Sequence, residues 1–187
     1  MRLNTLEAVY KIVFPHDFFP SDLEWRPFLR RVDSGADLSI DEVRWLEVYQ
    51  LADSVGIDLT SRDNEFVVVT VTAKLGFDLD SFAEETRNVA NAAVGPVSVR
   101  SDGSVVVSTP HVSVTDLIID DSERQAYPYP DVGMSPDGWR RITDYVARSV
   151  PGRLEAASLF EEAEAAGRRF LTGFFNQAGY ETVYFAE

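Results

Sequence analysis

The chain has 187 residues, 45% of them hydrophobic and 12% aromatic, with no cysteine and a formal net charge of −14. A chain this long buries roughly 70% of the surface its unfolded form exposes, so a sizeable core needs no covalent staple, and the missing cysteine excludes disulfides, thiolate metal sites and cysteine nucleophiles. The acidity argues against nucleic acid and anionic membrane surfaces, because the clustered arginines, Arg30–Arg31, Arg140–Arg141 and Arg168–Arg169, all have carboxylates nearby.

No apolar run approaches the ~18 residues of a membrane span. The opening residues, MRLNTLEAVYKIVF, hold no apolar signal core followed by a small-residue cleavage site. The expectation is one soluble domain over residues 1–187, with no direct membrane insertion by this chain.

Residues 6–14 alternate in a strand period, with a short helix the alternative, and Pro15 and Pro20 end the run. A helical insertion is predicted at residues 21–63. Ser21 with Glu24 and Ser39 with Glu42 both have the spacing of a capping box. Pro27 limits the first helix or starts it late, and Gly56 is placed to stop the second. Residues 65–76, EFVVVTVTAKLG, read as a strand central enough to be covered on one face or both. Ser81 and Glu84 predict a helix over 82–93, closed by Gly95–Pro96.

Two valine-rich runs flank Ser101–Asp102–Gly103, which predicts a hairpin, since Asp-Gly supplies the positive φ such turns need. Residues 112–119 form another strand. Four loop formers between Tyr127 and Gly138 predict a loop. Ser135 then caps a helix with Pro136 at its first position, and Pro151–Gly152 is expected to break it. The last helix, 154–178, sets Leu159, Ala163, Ala166, Phe170, Phe174 and Ala178 on one face. Gly179 stops it, and a short strand at 182–185 follows. Strands gathered in the middle with helices near the ends predict an α+β fold. Its sheet should be largely antiparallel and packed by the long C-terminal helix.

Three segments, FVVVTVTAKLGFDLDSF, GSVVVSTPHVSVTDLIIDDS and LFEEAEAAGRRFLTGFFNQAGYETVYF, occur in that order. Together they resemble a bacterial family catalogued as domain of unknown function 4230 (DUF4230). The resemblance covers residues 65–187. It implies an α+β domain, carried behind an amino-terminal membrane anchor and facing outside the cytoplasm, with no known activity. Two features depart from that pattern. No anchor lies in this sequence, so the expected compartment is extracytoplasmic if one precedes it and cytoplasmic otherwise. The segment 20–63 is also longer and more helical than the usual connection.

The candidate chemistry is thin. His16 and His111, with Asp17 or Asp116, have the donor types of a zinc site but no HExxH-type spacing. Asp78, Asp80, Asp120 and Asp121 have the oxygens calcium takes, but no EF-hand pattern, and aspartate at strand ends serves turns equally well. Among 31 acidic residues some pair will meet a catalytic distance by chance. No G-x-S-x-G elbow, P-loop or G-x-G-x-x-G occurs. No catalytic, cofactor-binding or metal residue is therefore assigned, and no cofactor is expected.

Phe14, Phe18 and Phe19, and likewise Tyr127 and Tyr129, sit among prolines. They are expected to pack inward, with partner anchoring the alternative. Gly167 and Gly173 are expected to let the last helix approach the sheet. These readings favour a non-enzymatic binding or scaffolding domain at the cell envelope, docking a protein partner through its aromatic loops or its helical insertion. The alternatives are a metal-dependent hydrolase and a structural, oligomer-forming protein.

Overall fold

The computed structural model describes residues 2–61, 65–78, 97–109, 111–120 and 133–186. Among them the fold is α+β, with two three-stranded sheets in which antiparallel pairing dominates and four α-helices. The first sheet orders β1 (Arg2–Phe14), β2 (Val67–Asp78) and β5 (Val112–Asp120) as β1-β2-β5. The second orders β3 (Val97–Val99), β4 (Val105–Ser108) and β6 (Val183–Ala186) as β3-β4-β6. The helices are α1 (Trp25–Asp33), α2 (Ile40–Ser54), α3 (Pro136–Ala156) and α4 (Leu159–Gln177).

The chain divides into two compact units. The first comprises Met1–Ala8, Thr72–Ile118 and Val150–Glu187. Here β2 buries Ala73, Leu75 and Phe77 on one face, alternating with the half-buried Thr72 and Lys74. Thr115 on β5 is buried, and its hydroxyl donates to Asn4 Oδ1 at 2.7 Å, with the Lys74 carbonyl at 3.1 Å. The expected hairpin forms: β3 and β4 pair antiparallel, Val97 opposite Val107. Gly103 takes φ +81° at its turn, while Asp102 accepts the Ser104 N–H and hydroxyl. β6 joins β4 in parallel, and α4 packs against β6.

Close approach in this unit depends on two glycines. A Cβ at Gly76 would collide with the backbone of Leu3, and one at Gly167 with the ring of Phe77. The Thr5 hydroxyl ties β1 to the same stretch of α4 by donating to the Ala163 carbonyl at 2.8 Å. This arrangement corrects the predicted face of the last helix. Ala163 and Gly167 are buried, whereas Phe170 is 53% and Phe174 56% exposed. Small residues win the contact because they let the helix backbone come within reach of Phe77. Gly173 meets nothing within 4 Å, so close approach is not its role.

The second unit comprises Val9–Val71 and Ile119–Ser149. Its core includes Ile12, Phe14, Val48, Val69, Ile142 and Val146. The predicted helical insertion is present as α1 and α2. At α2 the capping box is complete: Ser39 Oγ accepts the Glu42 N–H at 3.3 Å, and Glu42 Oε2 accepts the Ser39 N–H at 2.9 Å. Gly56 ends α2 at φ +88°, with Ile57 N–H bonded to the Ala52 carbonyl and Gly56 N–H to Asp53, the paired bonds of a Schellman stop.

The other proposed capping box fails. α1 begins at Trp25 with Glu24 as an uncapped N-cap, because Pro20–Leu23 closes a turn of its own around Ser21. At α3 the Ser135 hydroxyl accepts the Gly138 N–H at 3.1 Å, as expected of an N-cap.

α3 does not stop at Pro151–Gly152 but continues to Ala156. Val150 and Leu154, on either side of the proline, are buried, and that packing holds the helix through one missing hydrogen bond. The break falls instead at Ser158, in the left-handed region at φ 55°, so the last helix begins at Leu159 rather than 154. The predicted helix at 82–93, Pro110 and the loop holding Tyr127 and Tyr129 lie outside the described residues.

Candidate functional site

Among the described residues a concavity lies wholly within the second unit, where β1 ends. Pro15 opens a short 3-10 turn, His16–Phe18. Asp17 holds it by accepting the Val13 N–H at 2.8 Å. The turn sends Phe14 and Phe18 inward, where each stacks against Tyr145 at centroid distances of 6.2 and 5.1 Å. It leaves His16 and Phe19 on the other side.

From there a line of rings runs along the insertion. His16 stands 5.9 Å from Phe66 and 5.7 Å from Phe19, and Phe19 stands 4.9 Å from Trp25. Trp25 continues to Phe28 at 5.8 Å and to Tyr49 at 5.3 Å. Most of these pairs meet edge to face, the geometry that ring quadrupoles favour.

Rings packed edge to face do not tile a surface flat, and a cleft of about 500 Å³ opens beside them. Val13, Leu23 and Leu59 add aliphatic lining, and Ser21 and Ser61 bring hydroxyls to it. Two carboxylates, Asp58 and Glu65, also line it. They are fixed together, since Glu65 Oε2 accepts the Asp58 N–H at 3.3 Å. Asp58 Oδ1 accepts both the hydroxyl and the N–H of Thr60, at 2.7 and 2.8 Å. Those bonds, the hydroxyl first, hold the Asp58 carboxyl below its ordinary value. Negative potential also reaches the ring cluster. Burial, then the charges of Asp53, Asp58 and Asp33, raise the Tyr49 phenol above its usual value.

A second, more open cleft of about 570 Å³ separates α2 from α3. Glu47 faces it from α2, and Arg141, Asp144 and Arg148 from α3. Charges of both signs alternate there, so it selects for neither.

The structure disperses the residues that carried the metal expectation. His16 is a ring in the aromatic line, while His111 is an exposed residue just before β5 and belongs to the other unit. Asp17 serves its turn, and Asp116 pairs with Lys74 at 3.4 Å. Among the described residues no three histidines and carboxylates stand together as a ligand set. The side chains of Asp78, Asp80, Asp120 and Asp121 lie outside the described residues.

Each arginine pair has a member held by a carboxylate: Arg31 by Glu42 at 2.8 Å, Arg140 by Asp137, and Arg168 by Glu164 at 2.6 Å. The proline-flanked phenylalanines do pack, Phe14 fully and Phe18 and Phe19 in part.

Sequence reasoning singled out His16 and Phe19 but missed Trp25, Asp58 and Glu65. Asp58 follows a helix stop and Glu65 precedes a strand, positions that read as turn chemistry, and nothing local announces that they meet. No known protein family, no curated protein and no solved structure matches this chain.

Proposed function

We propose that this chain is a non-enzymatic binding domain whose ligand occupies the cleft beside His16. One observation carries the reading. A cavity in the size range of small-molecule sites is lined mostly by aromatic and aliphatic side chains, with a few polar groups among them. The sequence resemblance to the domain of unknown function 4230 family supports a setting at the bacterial cell envelope, with the helical insertion as the part that gives this chain its own specificity. Six residues from that insertion, Ser21, Leu23, Trp25, Asp58, Leu59 and Ser61, line the cleft.

The test is a fragment screen by protein-observed NMR. Shifts should gather at Val13, Leu23 and Leu59. The Ser21→Trp variant, which places an indole in the cleft mouth from an exposed position, should lose them while keeping its circular dichroism spectrum. Shifts that scatter over both units, or survive the plug unchanged, would contradict the reading.

A further inference from the structure

We infer that the cleft takes a small organic cation, with its ammonium group against Asp58 and Glu65 and an aryl or alkyl body against Phe19, Trp25 and Leu23. This rests on the binding reading above and adds the chemistry of the ligand.

Three features of the site converge on it. The first is the ring wall. Rings and aliphatic carbon give the apolar body of such a ligand a wall to bury against. Phe19 and Trp25 both line the cleft, in a fixed edge-to-face pair that costs little further ordering on binding.

The second is the pair of carboxylates. Both Asp58 and Glu65 line the cleft, and the Asp58 backbone N–H holds the Glu65 carboxylate there. The bonds from Thr60 hold Asp58 in place, and they favour its ionised form. A carboxylate or phosphate ligand would be repelled by them.

The third is what a metal ion would require. A bare divalent ion needs several oxygen or nitrogen ligands around it, and most of this wall is ring and aliphatic carbon. An ammonium tolerates such a wall because it offers hydrogen bonds on one side and an apolar body on the other. Among the described residues Arg26 acts on this side of the site: it donates to the Thr60 carbonyl at 3.4 Å and lowers the Asp58 carboxyl only as the last of five effects.

The experiment compares three ligands with one shared body: 2-phenylethylammonium, 2-phenylethanol and 3-phenylpropanoate. Each is titrated into the full chain, with affinity read from backbone amide shifts at the cleft. The ammonium should bind about threefold tighter than the alcohol, as a positive head beside the solvent-exposed carboxylates lining the cleft implies. The propanoate should be weakest. Added salt should narrow the gap between ammonium and alcohol, because it screens the charge. In the double variant Asp58→Asn, Glu65→Gln, which keeps the oxygen acceptors that hold the loop, ammonium affinity should fall to that of the alcohol, whose own affinity should not move.

Equal binding of all three ligands, or preference for the propanoate, would overturn the inference while leaving a binding cleft in place. Failure of all three to shift the cleft amides, alongside an empty fragment screen, would overturn both readings.

Discussion

The two units reach their packing by opposite means. In the first, glycines let backbone approach backbone: Gly76 lies against Leu3, and Gly167 lies under Phe77. Nothing larger than hydrogen fits at either point. In the second, large rings meet edge to face from His16 to Trp25 and leave about 500 Å³ open beside them. Close glycine contacts give a joint with no spare volume, whereas rings on short turns and helices leave concave space with chemistry around it. The contrast explains why the candidate site falls in the second unit.

Substitutions sharpen that contrast. The largest effect is expected at Trp25, which is only 7% exposed and touches three other rings. Trp25→Ala should cost about 3–5 kcal/mol in urea unfolding and abolish cleft binding together, since one side chain serves both.

Next comes Gly76→Ala, where the new methyl meets a backbone carbonyl that has no rotamer to escape through. A loss of about 3 kcal/mol is expected, at the top of the usual overpacking range. A loss near zero would mean that the first unit is looser than described.

α4 offers an internal control, because its two interior glycines should respond with opposite signs. Gly167→Ala gains helix propensity but drives a methyl into the fully buried Phe77, and a net loss of about 1 kcal/mol or more is expected. Gly173→Ala meets open space and should stabilise by about 1 kcal/mol. Thermal unfolding of the pair decides it. The same sign for both would remove close approach as the reason for Gly167.

The smallest effect concerns Glu42. The Ser39 N–H first, then Arg31, hold its carboxyl below the ordinary 4.5. A carboxyl lowered on folding contributes stability above its unfolded value and loses it as pH falls through the folded one. Glu42→Gln should therefore lower the melting temperature at pH 7, and the difference should close on acidification below 4.5. A difference that persists at low pH would argue against the ionised capping box.

Much of the fold was legible in the sequence because it is written locally. The Ser39–Glu42 box, the Gly56 stop, the Asp102–Gly103 turn and the Ser135–Pro136 start each depend on residues within a few positions of one another. The failed Ser21 box has a local cause, the turn at Pro20–Leu23, whereas two other misreadings come from tertiary packing. Pro151 stays helical because Val150 and Leu154 are buried beside it. Phe170 and Phe174 face outward because Ala163 and Gly167 take the sheet-facing stripe.

The site follows the same rule. FPHDFF drew attention as aromatic and turn-forming, and the cleft is indeed built around it. Leu23, Asp58 and Glu65 join it only through folding, across more than forty positions of chain from Leu23 to Glu65. No spacing in the sequence encodes that meeting.

The most direct test is where a bound probe sits. Intermolecular nuclear Overhauser effects from 2-phenylethylammonium should connect its aryl protons to the Leu23 and Val13 methyls and the Phe19 ring. Contacts only to Leu51 and Tyr145 would place the ligand in the charged cleft between α2 and α3 and contradict the account.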